Sequence, residues 1–155
     1  MGREKTQMGG DATMPAPAAG HAGLAARRPA GLGGGMAMAA NIAVGLVALL
    51  HLYFLVLEMF LWTKPYGRRV FGLTPEKAAA TRSLAANQGL YNGFLAAGLG
   101  WGLFAGADGH APKVFFLSCV ILAGIFGGAT ASRKILWVQA VPGAVALWLV
   151  CASGG

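Results

Sequence analysis

Long apolar stretches separated by short polar segments fill the chain from Met36 onward. A helix needs about 20 predominantly apolar residues to cross the hydrocarbon core of a bilayer. Four stretches reach or approach that length, and we predict membrane-spanning helices at about 36–62, 83–105, 114–131 and 135–152. The turns between them are short, so neighbouring helices should lie antiparallel. The predicted fold is an all-α, integral membrane four-helix bundle.

The first 35 residues have a different pattern, rich in Gly, Ala and Pro and without periodicity. Such a segment cannot bury enough apolar surface to offset its chain entropy, so we predict a disordered, low-complexity tail over 1–35. Arg27 and Arg28 do not mark a signal peptide, because the apolar stretch after them is longer than a signal sequence requires. Met36 and Met38 stand directly before that stretch, so translation starting there is an alternative that the sequence leaves open.

Breaker and capping residues refine the predicted boundaries. Pro65 and Gly67 predict a loop after the first helix. Thr74 followed by Pro75 is typical of an N-cap and a first helical position. The second helix is therefore expected to start at Pro75, before the apolar stretch that spans the membrane. Pro142 predicts a kink in the fourth helix.

Composition and charge favour lipid as the solvent of these helices. Charged residues make up 11% of the chain, against about 25% in a soluble domain. The net charge of +7 raises nucleic acid as a partner, but seven of the twelve Lys and Arg lie in the first and third loops, as the positive-inside rule expects of cytoplasmic loops. These cations are Lys64, Arg68, Arg69, Lys77, Arg82, Arg133 and Lys134. We therefore expect a multi-pass inner-membrane protein, with loops one and three cytoplasmic, both termini outside, and no nucleic-acid partner.

Polar residues inside the predicted spans are the candidates for function, because each costs free energy in hydrocarbon unless it is paired or hydrated. At a rise of 1.5 Å per residue, they lie roughly 6 to 16 Å inside the cytoplasmic boundary, with Arg82 at that boundary. The outer half offers little beyond Ser118 and Cys119. Clustering at one depth predicts a polar site formed by His51, Glu58, Arg82, Asn87, Gln88, Tyr91, Asn92 and Gln139.

Two interpretations of this cluster remain. In the functional one, Glu58 carries a proton or acts as a general base, His51 ends a relay at mid-membrane, and the polar residues of the second helix orient a ligand. In the structural one, Arg82 pairs with Glu58 and the amides hydrogen-bond across helices to fix their register. We favour the functional interpretation, because a carboxylate and an imidazole together exceed what register requires.

Other residue patterns predict packing rather than chemistry. Cys119 and Cys151 lack the spacing of a zinc site or redox pair, and His51 with Glu58 supplies too few ligands for a metal, so no metal site is predicted and any cofactor is unknown. GxxxG spacings on the second and third helices allow close backbone approach. They are formed by Gly89 and Gly93, Gly98 and Gly102, and Gly124 and Gly128.

A resemblance to a known family is carried by two long runs, HLYFLVLEMFLWTKPYGRRVFGL and LAANQGLYNGFLAAGLGWGL. They resemble the bacterial family called domain of unknown function 1304, whose members are short four-helix membrane proteins. The resemblance covers roughly residues 38–151. It implies the fold and the membrane location, and it implies no activity.

Three functions of different classes are compatible with these observations. The first, which we favour, is a small carrier or channel in which Glu58 and His51 handle protons or a small solute. The second is a membrane enzyme or redox accessory acting on a quinone or lipid, and the third is a structural subunit of a larger membrane complex. Four short helices make a thin wall for a pore, so the first function implies a homo-oligomer.

Overall fold

The computed structural model describes residues 30–154, and side chains from residue 33 onward. This part of the chain is helical and contains no strand, which confirms the predicted all-α class. It holds six α-helices rather than four: α1 (Ala30–Val56), α2 (Pro65–Phe71), α3 (Pro75–Ala80), α4 (Arg82–Phe104), α5 (His110–Thr130) and α6 (Val141–Ser153). Helix α1 begins six residues before the predicted start at Met36, and the rest of the predicted tail lies outside the described residues.

Three helical stretches within residues 30–154 are long and apolar enough to cross a membrane: Gly33–Leu61, Gly106–Thr130 and Leu136–Ser153. Helix α4 is not among them, although its 23 residues provide sufficient length. Its polar side chains, Asn87, Gln88 and Asn92 among them, make it less apolar than the others. Spanning by α4, and with it the predicted count of four spans, stays a prediction.

The segment between α1 and α4 is folded, and the prediction of a simple loop there was wrong. Pro65 occupies the first turn of α2, where a missing backbone N–H costs no hydrogen bond. The proline that was expected only to end the first helix therefore also starts the next one. Gly67 is buried against the backbone of Leu61, where a side chain would collide with the Leu61 carbonyl. Gly72 then ends α2 in the left-handed conformation, with φ of 63°.

The predicted N-cap at Thr74 is confirmed. The Thr74 hydroxyl accepts a hydrogen bond from the backbone N–H of Lys77 at 3.3 Å, and Pro75 opens α3 behind it. The pKa of the Glu76 carboxyl is lowered by hydrogen bonds from its own backbone N–H and from Thr74. Helix α5 also starts earlier than predicted, at His110, because Pro112 falls in its first turn and is tolerated there.

Two π-helical turns interrupt the long helices, at Leu57–Leu61 after α1 and at Leu136–Ala140 before α6. The second stands directly before Pro142, whose ring crowds the carbonyl four residues earlier and shifts the hydrogen-bond ladder. The predicted irregularity at Pro142 therefore takes the form of a π turn. Each turn carries one residue of the predicted polar cluster, Glu58 in the first and Gln139 in the second.

Helices α1, α4, α5 and α6 surround one apolar core, with each helix antiparallel to the next. Glycines allow the close approach: Gly93 faces Leu55 of α1, Gly98 faces Phe116 of α5, and Gly124 faces Ala140 in the second π turn. The predicted packing role of the glycines is confirmed. The buried core residues are Ala40, Val44, Val47, Leu99, Leu117, Val120, Ala146 and Val150.

The two ends of this bundle differ in the residues that hold them together. At one end, the Trp62 indole N–H donates to the Thr81 hydroxyl at 3.0 Å and its ring packs on Phe71. We call this the Trp62 end. At the opposite end, which we call the His110 end, the Lys113 ammonium donates to the Asn41 side-chain oxygen at 2.8 Å.

Candidate functional site

A short polar contact inside the bundle joins the first π turn and α4 near the Trp62 end. Asn92 Nδ2 donates to Glu58 Oε2 at 2.7 Å. Asn92 is only 6% exposed, and Glu58 is half-buried. We call these two residues the Glu58–Asn92 pair.

Two backbone features of the sequence bring the pair together. Gly89 lies almost one turn before Asn92 and is buried; a Cβ placed on it would lie 3.1 Å from Glu58 Cβ and 2.7 Å from Met59 Cγ. The missing side chain therefore lets α4 approach the segment that carries Glu58. That segment is the first π turn, and single π turns inside helices are frequent at functional sites.

His51 lies in the same helical stretch as Glu58, but its hydrogen bond stays within that stretch. It is fully buried, and its Nδ1 lies 2.8 Å from the carbonyl oxygen of Val47, so Nδ1 carries the proton in this bond. Its Nε2 is buried and has no hydrogen-bond partner among the described residues. His51 and Glu58 are seven residues apart, or roughly 10 Å along the helix, so they are too distant for a direct proton transfer.

Arg82 does not form the ion pair that the structural interpretation predicted. It is exposed at the start of α4, and no ion pair joins it to Glu58 within residues 33–154. The reason is distance, since ten residues of helix separate Arg82 from Asn92, or roughly 15 Å along the axis. The carboxyl of Glu58 is therefore bonded to a neutral amide instead of a cation.

The remaining predicted residues are not gathered around the pair. Asn87, Gln88 and Tyr91 lie on the exposed face of α4, and Tyr91 is 51% exposed. Gln139 is half-buried in the second π turn, beside Ala140, which packs against α5. The structure thus joins Glu58 to Asn92 by a hydrogen bond, places His51 deeper, and leaves three polar side chains on an outer surface.

The expectation that the outer half offers little was wrong, because it overlooked a polar cluster at the His110 end. Lys113 bonds to Asn41, and both line a cavity of about 150 Å³ together with His110 and Ser153. Asn41 was the missed signal: an amide in the first predicted span is as unusual there as Asn92 is in the second. Lys113 entered the prediction only as a loop cation.

The described residues also include possible metal ligands and two cysteines. Within that part of the chain, no three His, Cys, Asp or Glu side chains lie close enough to hold a metal ion. Cys119 is half-buried and Cys151 is exposed, and both are free thiols.

Comparisons with known proteins identify a family of unknown function and an uncharacterized relative. The model of a family described as "Protein of unknown function (DUF1304)" matches residues 45–151, which include both members of the Glu58–Asn92 pair. The chain is 31% identical over 96 residues to YpaA of Lactococcus lactis subsp. lactis (strain IL1403), a protein named as uncharacterized. That match covers 61% of this chain and 81% of YpaA. No solved structure matches the chain. The family resemblance predicted from the sequence is confirmed.

Proposed function

The chain belongs to the DUF1304 family of proteins of unknown function, which assigns it no activity, and we propose from its geometry that it is a small carrier or channel that conducts protons across a membrane. One observation carries the proposal. Glu58 stands in a helix apolar enough to span a bilayer, and its hydrogen bond goes to a buried neutral amide.

The chemistry of that hydrogen bond suits a carboxyl group that exchanges a proton. An ionised carboxylate only accepts hydrogen bonds, whereas a protonated one has an O–H to donate. The Asn92 side chain carries an NH₂ that donates and a carbonyl oxygen that accepts, so by rotating it can bond to Glu58 in either state. An arginine in its place offers only donors and holds the carboxylate ionised.

The charge distribution supports an orientation for such a carrier. The seven cations of the two charged segments lie near the Trp62 end. They stand on α2 and α3, directly before α2, at the start of α4, and between α5 and α6. By the positive-inside rule, this end faces the cytoplasm and both termini lie outside. In this arrangement, α4 crosses the bilayer together with the three apolar helices, and Glu58 is reached from the cytoplasm.

The exposed face of α4 supports an assembly of more than one copy. Asn87 and Gln88 are exposed there, and an unpaired amide in hydrocarbon costs free energy. Each amide carries both donors and an acceptor, so the same face of a second copy offers complementary partners in a two-fold arrangement. Pairing across α4 would also supply the additional wall that a carrier of short helices needs.

Proton flux in proteoliposomes tests the proposal. Wild type, Glu58→Gln and Glu76→Gln are reconstituted at equal density, and a potassium diffusion potential drives protons into vesicles that contain a pH-sensitive dye. Glu76→Gln is the matched control, because Glu76 is an exposed carboxyl of the same type on α3. We expect wild type and Glu76→Gln to carry protons, and Glu58→Gln to match protein-free vesicles.

Two results would replace the proposal. Equal flux in wild type and Glu58→Gln would remove Glu58 from the proton path. The structural subunit would be favoured instead if every variant, wild type included, gave flux at the protein-free level. In that case Glu58→Gln and Asn92→Ala would change only assembly or stability. A monomer in lipid, determined by cross-linking at native density, would also count against a carrier.

A further inference from the structure

The cavity at the His110 end is separate from the Glu58–Asn92 pair and has its own chemistry. It measures about 150 Å³ and lies where the early part of α1, the start of α5 and the end of α6 meet. Four polar side chains from these three helices line it, and the rest of its lining is small or aliphatic. The polar residues are Asn41, His110, Lys113 and Ser153.

The hydrogen bonds already made in this cluster leave an excess of donors. The Lys113 ammonium has three N–H groups, and its bond to Asn41 Oδ1 uses one of them. Because that bond occupies Oδ1, the amide group of Asn41 still has both N–H donors of Nδ2. The Ser153 hydroxyl donates to the carbonyl of Val150 at 2.8 Å, so its proton is committed.

Among the described residues, no other titratable group neutralises this cluster. His110 Nδ1 is buried and has no hydrogen-bond partner among the described residues. No ion pair involves Lys113 within residues 33–154, and Asp108, the acidic residue nearest to it in sequence, is exposed. The cavity is therefore lined by one positive charge and by several N–H donors.

The Lys113 side chain is also held in place by packing. A Cβ placed on Gly102 would lie 2.8 Å from Lys113 Cγ, so the bare backbone of α4 makes room for the aliphatic stem. An anchored stem with a cross-helix hydrogen bond loses less entropy on binding than a free surface lysine does.

The volume limits what the cavity can hold. It is about ten times the minimum needed for one water molecule, and it is smaller than the ~300–1,000 Å³ of pockets for drug-sized ligands. We propose that this cavity binds a small oxyanion of the phosphate type, either as a free ion or as the headgroup of a phospholipid. The ammonium and the amide of Asn41 donate to its oxygens, as charge-assisted hydrogen bonds to phosphate do.

Two measurements on the full chain distinguish the sources of the phosphate group. Inorganic phosphate is titrated into protein purified in phospholipid-free detergent, at constant ionic strength set with chloride, and the heat of binding is recorded. In parallel, protein from phosphatidylglycerol nanodiscs is released into a native mass spectrometer and its retained lipids are counted. Saturable heat identifies the free ion, and one retained lipid without such heat identifies the headgroup.

The variants decide whether the binding belongs to this cavity. Lys113→Ala should lose the heat or the retained lipid, Asn41→Ala should weaken it, and Lys113→Arg should restore part of it. Lys134→Ala, which removes an exposed cation at the opposite end, should bind as wild type does. Absence of both signals in the wild type, or unchanged binding in Lys113→Ala and Asn41→Ala, would overturn the proposal. If Lys113→Ala fails to fold, Asn41→Ala alone decides.

Discussion

The helical stretch Gly33–Leu61 makes one side-chain hydrogen bond near each of its ends, through Asn41 and through Glu58, and the two bonds differ in almost every physical respect. The Glu58–Asn92 pair lies in a tight helix contact that Gly89 permits, and it joins a carboxyl group to a neutral amide. The bond of Asn41 to Lys113 is exposed, borders a cavity, and joins an amide to an ammonium. Asn41 and Glu58 stand 17 positions apart, or roughly 25 Å along the helical stretch that carries both.

The difference shows how one residue type serves two purposes. A buried asparagine opposite a carboxyl group has a single partner, and its donors and acceptor suit a proton that comes and goes. An exposed asparagine whose oxygen is occupied by a lysine presents its remaining donors to a space. Burial and the charge of the partner, rather than the residue type, therefore separate the proposed site of proton exchange from the proposed oxyanion site.

Filling the contact behind the Glu58–Asn92 pair should have the largest effect. In Gly89→Leu, the new side chain meets Glu58 and Met59, and we expect a loss of about 3 kcal/mol, the upper part of the range for overpacking. Gly100→Leu is the matched control, because nothing lies within 4 Å of a Cβ at Gly100 on the same helix. Thermal unfolding in detergent measures both variants. Equal losses would show that α4 does not approach the first π turn at Gly89.

Removing the amide of the pair should cost less. Asn92→Ala leaves the half-buried Glu58 carboxyl without its partner, and we expect a loss of about 1–3 kcal/mol. Asn87→Ala removes the same side chain from the exposed face of the same helix in a monomeric detergent complex, and we expect a change within about 0.5 kcal/mol. If the two variants were equally stable, the burial of the pair would be refuted.

His51 tests whether the buried polar groups serve stability or transport. In His51→Leu, the Val47 carbonyl keeps its helical hydrogen bond, so we expect stability to change by no more than about 1 kcal/mol. If His51 continues the proton path from Glu58, flux in proteoliposomes should fall at the same time. A large loss of stability with unchanged flux would assign His51 to packing.

The smallest effect on stability is expected at the His110 end. Asn41→Ala breaks an exposed hydrogen bond, and we expect the free energy of unfolding to change by less than about 0.5 kcal/mol. The comparison of the two ends predicts that Asn92→Ala is the more damaging of the two Asn→Ala variants. Chemical denaturation of both in the same detergent checks the order, and the reverse order would contradict it.

Much of the helical framework could be predicted from the sequence, because hydrophobic length and capping chemistry are local. Thr74 with Pro75 marked a helix start correctly, and the GxxxG glycines marked packing faces. Pro65 was misjudged because proline ends one helix and starts another with the same geometry. Neither π turn is visible in the hydrophobic pattern. One extra residue in a turn rotates the following side chains about the helix axis, but it leaves the stretch as apolar as before.

The prediction grouped the site residues by position along the helix axis and did not consider the face of the helix on which each residue lies. Counting residues along a helix gives the positions of Asn87 and Asn92 along the axis, and their depth in a membrane stays a prediction. Five residues of helix rotate one from the other by roughly 140°, which puts them on different faces. Asn41 was missed for another reason. It stands apart from the other polar residues, in the outer half of the first predicted span, and the prediction relied on polar residues that cluster at one depth.

Infrared difference spectroscopy of the protein in lipid tests most directly whether Glu58 gains and loses a proton beside Asn92. Spectra recorded across a pH titration should show a protonated-carboxyl band that appears on acidification, is missing in Glu58→Gln, and shifts in frequency in Asn92→Ala. A titration of Glu58→Gln identical to that of the wild type would contradict the account, because the exchanging carboxyl would then lie elsewhere.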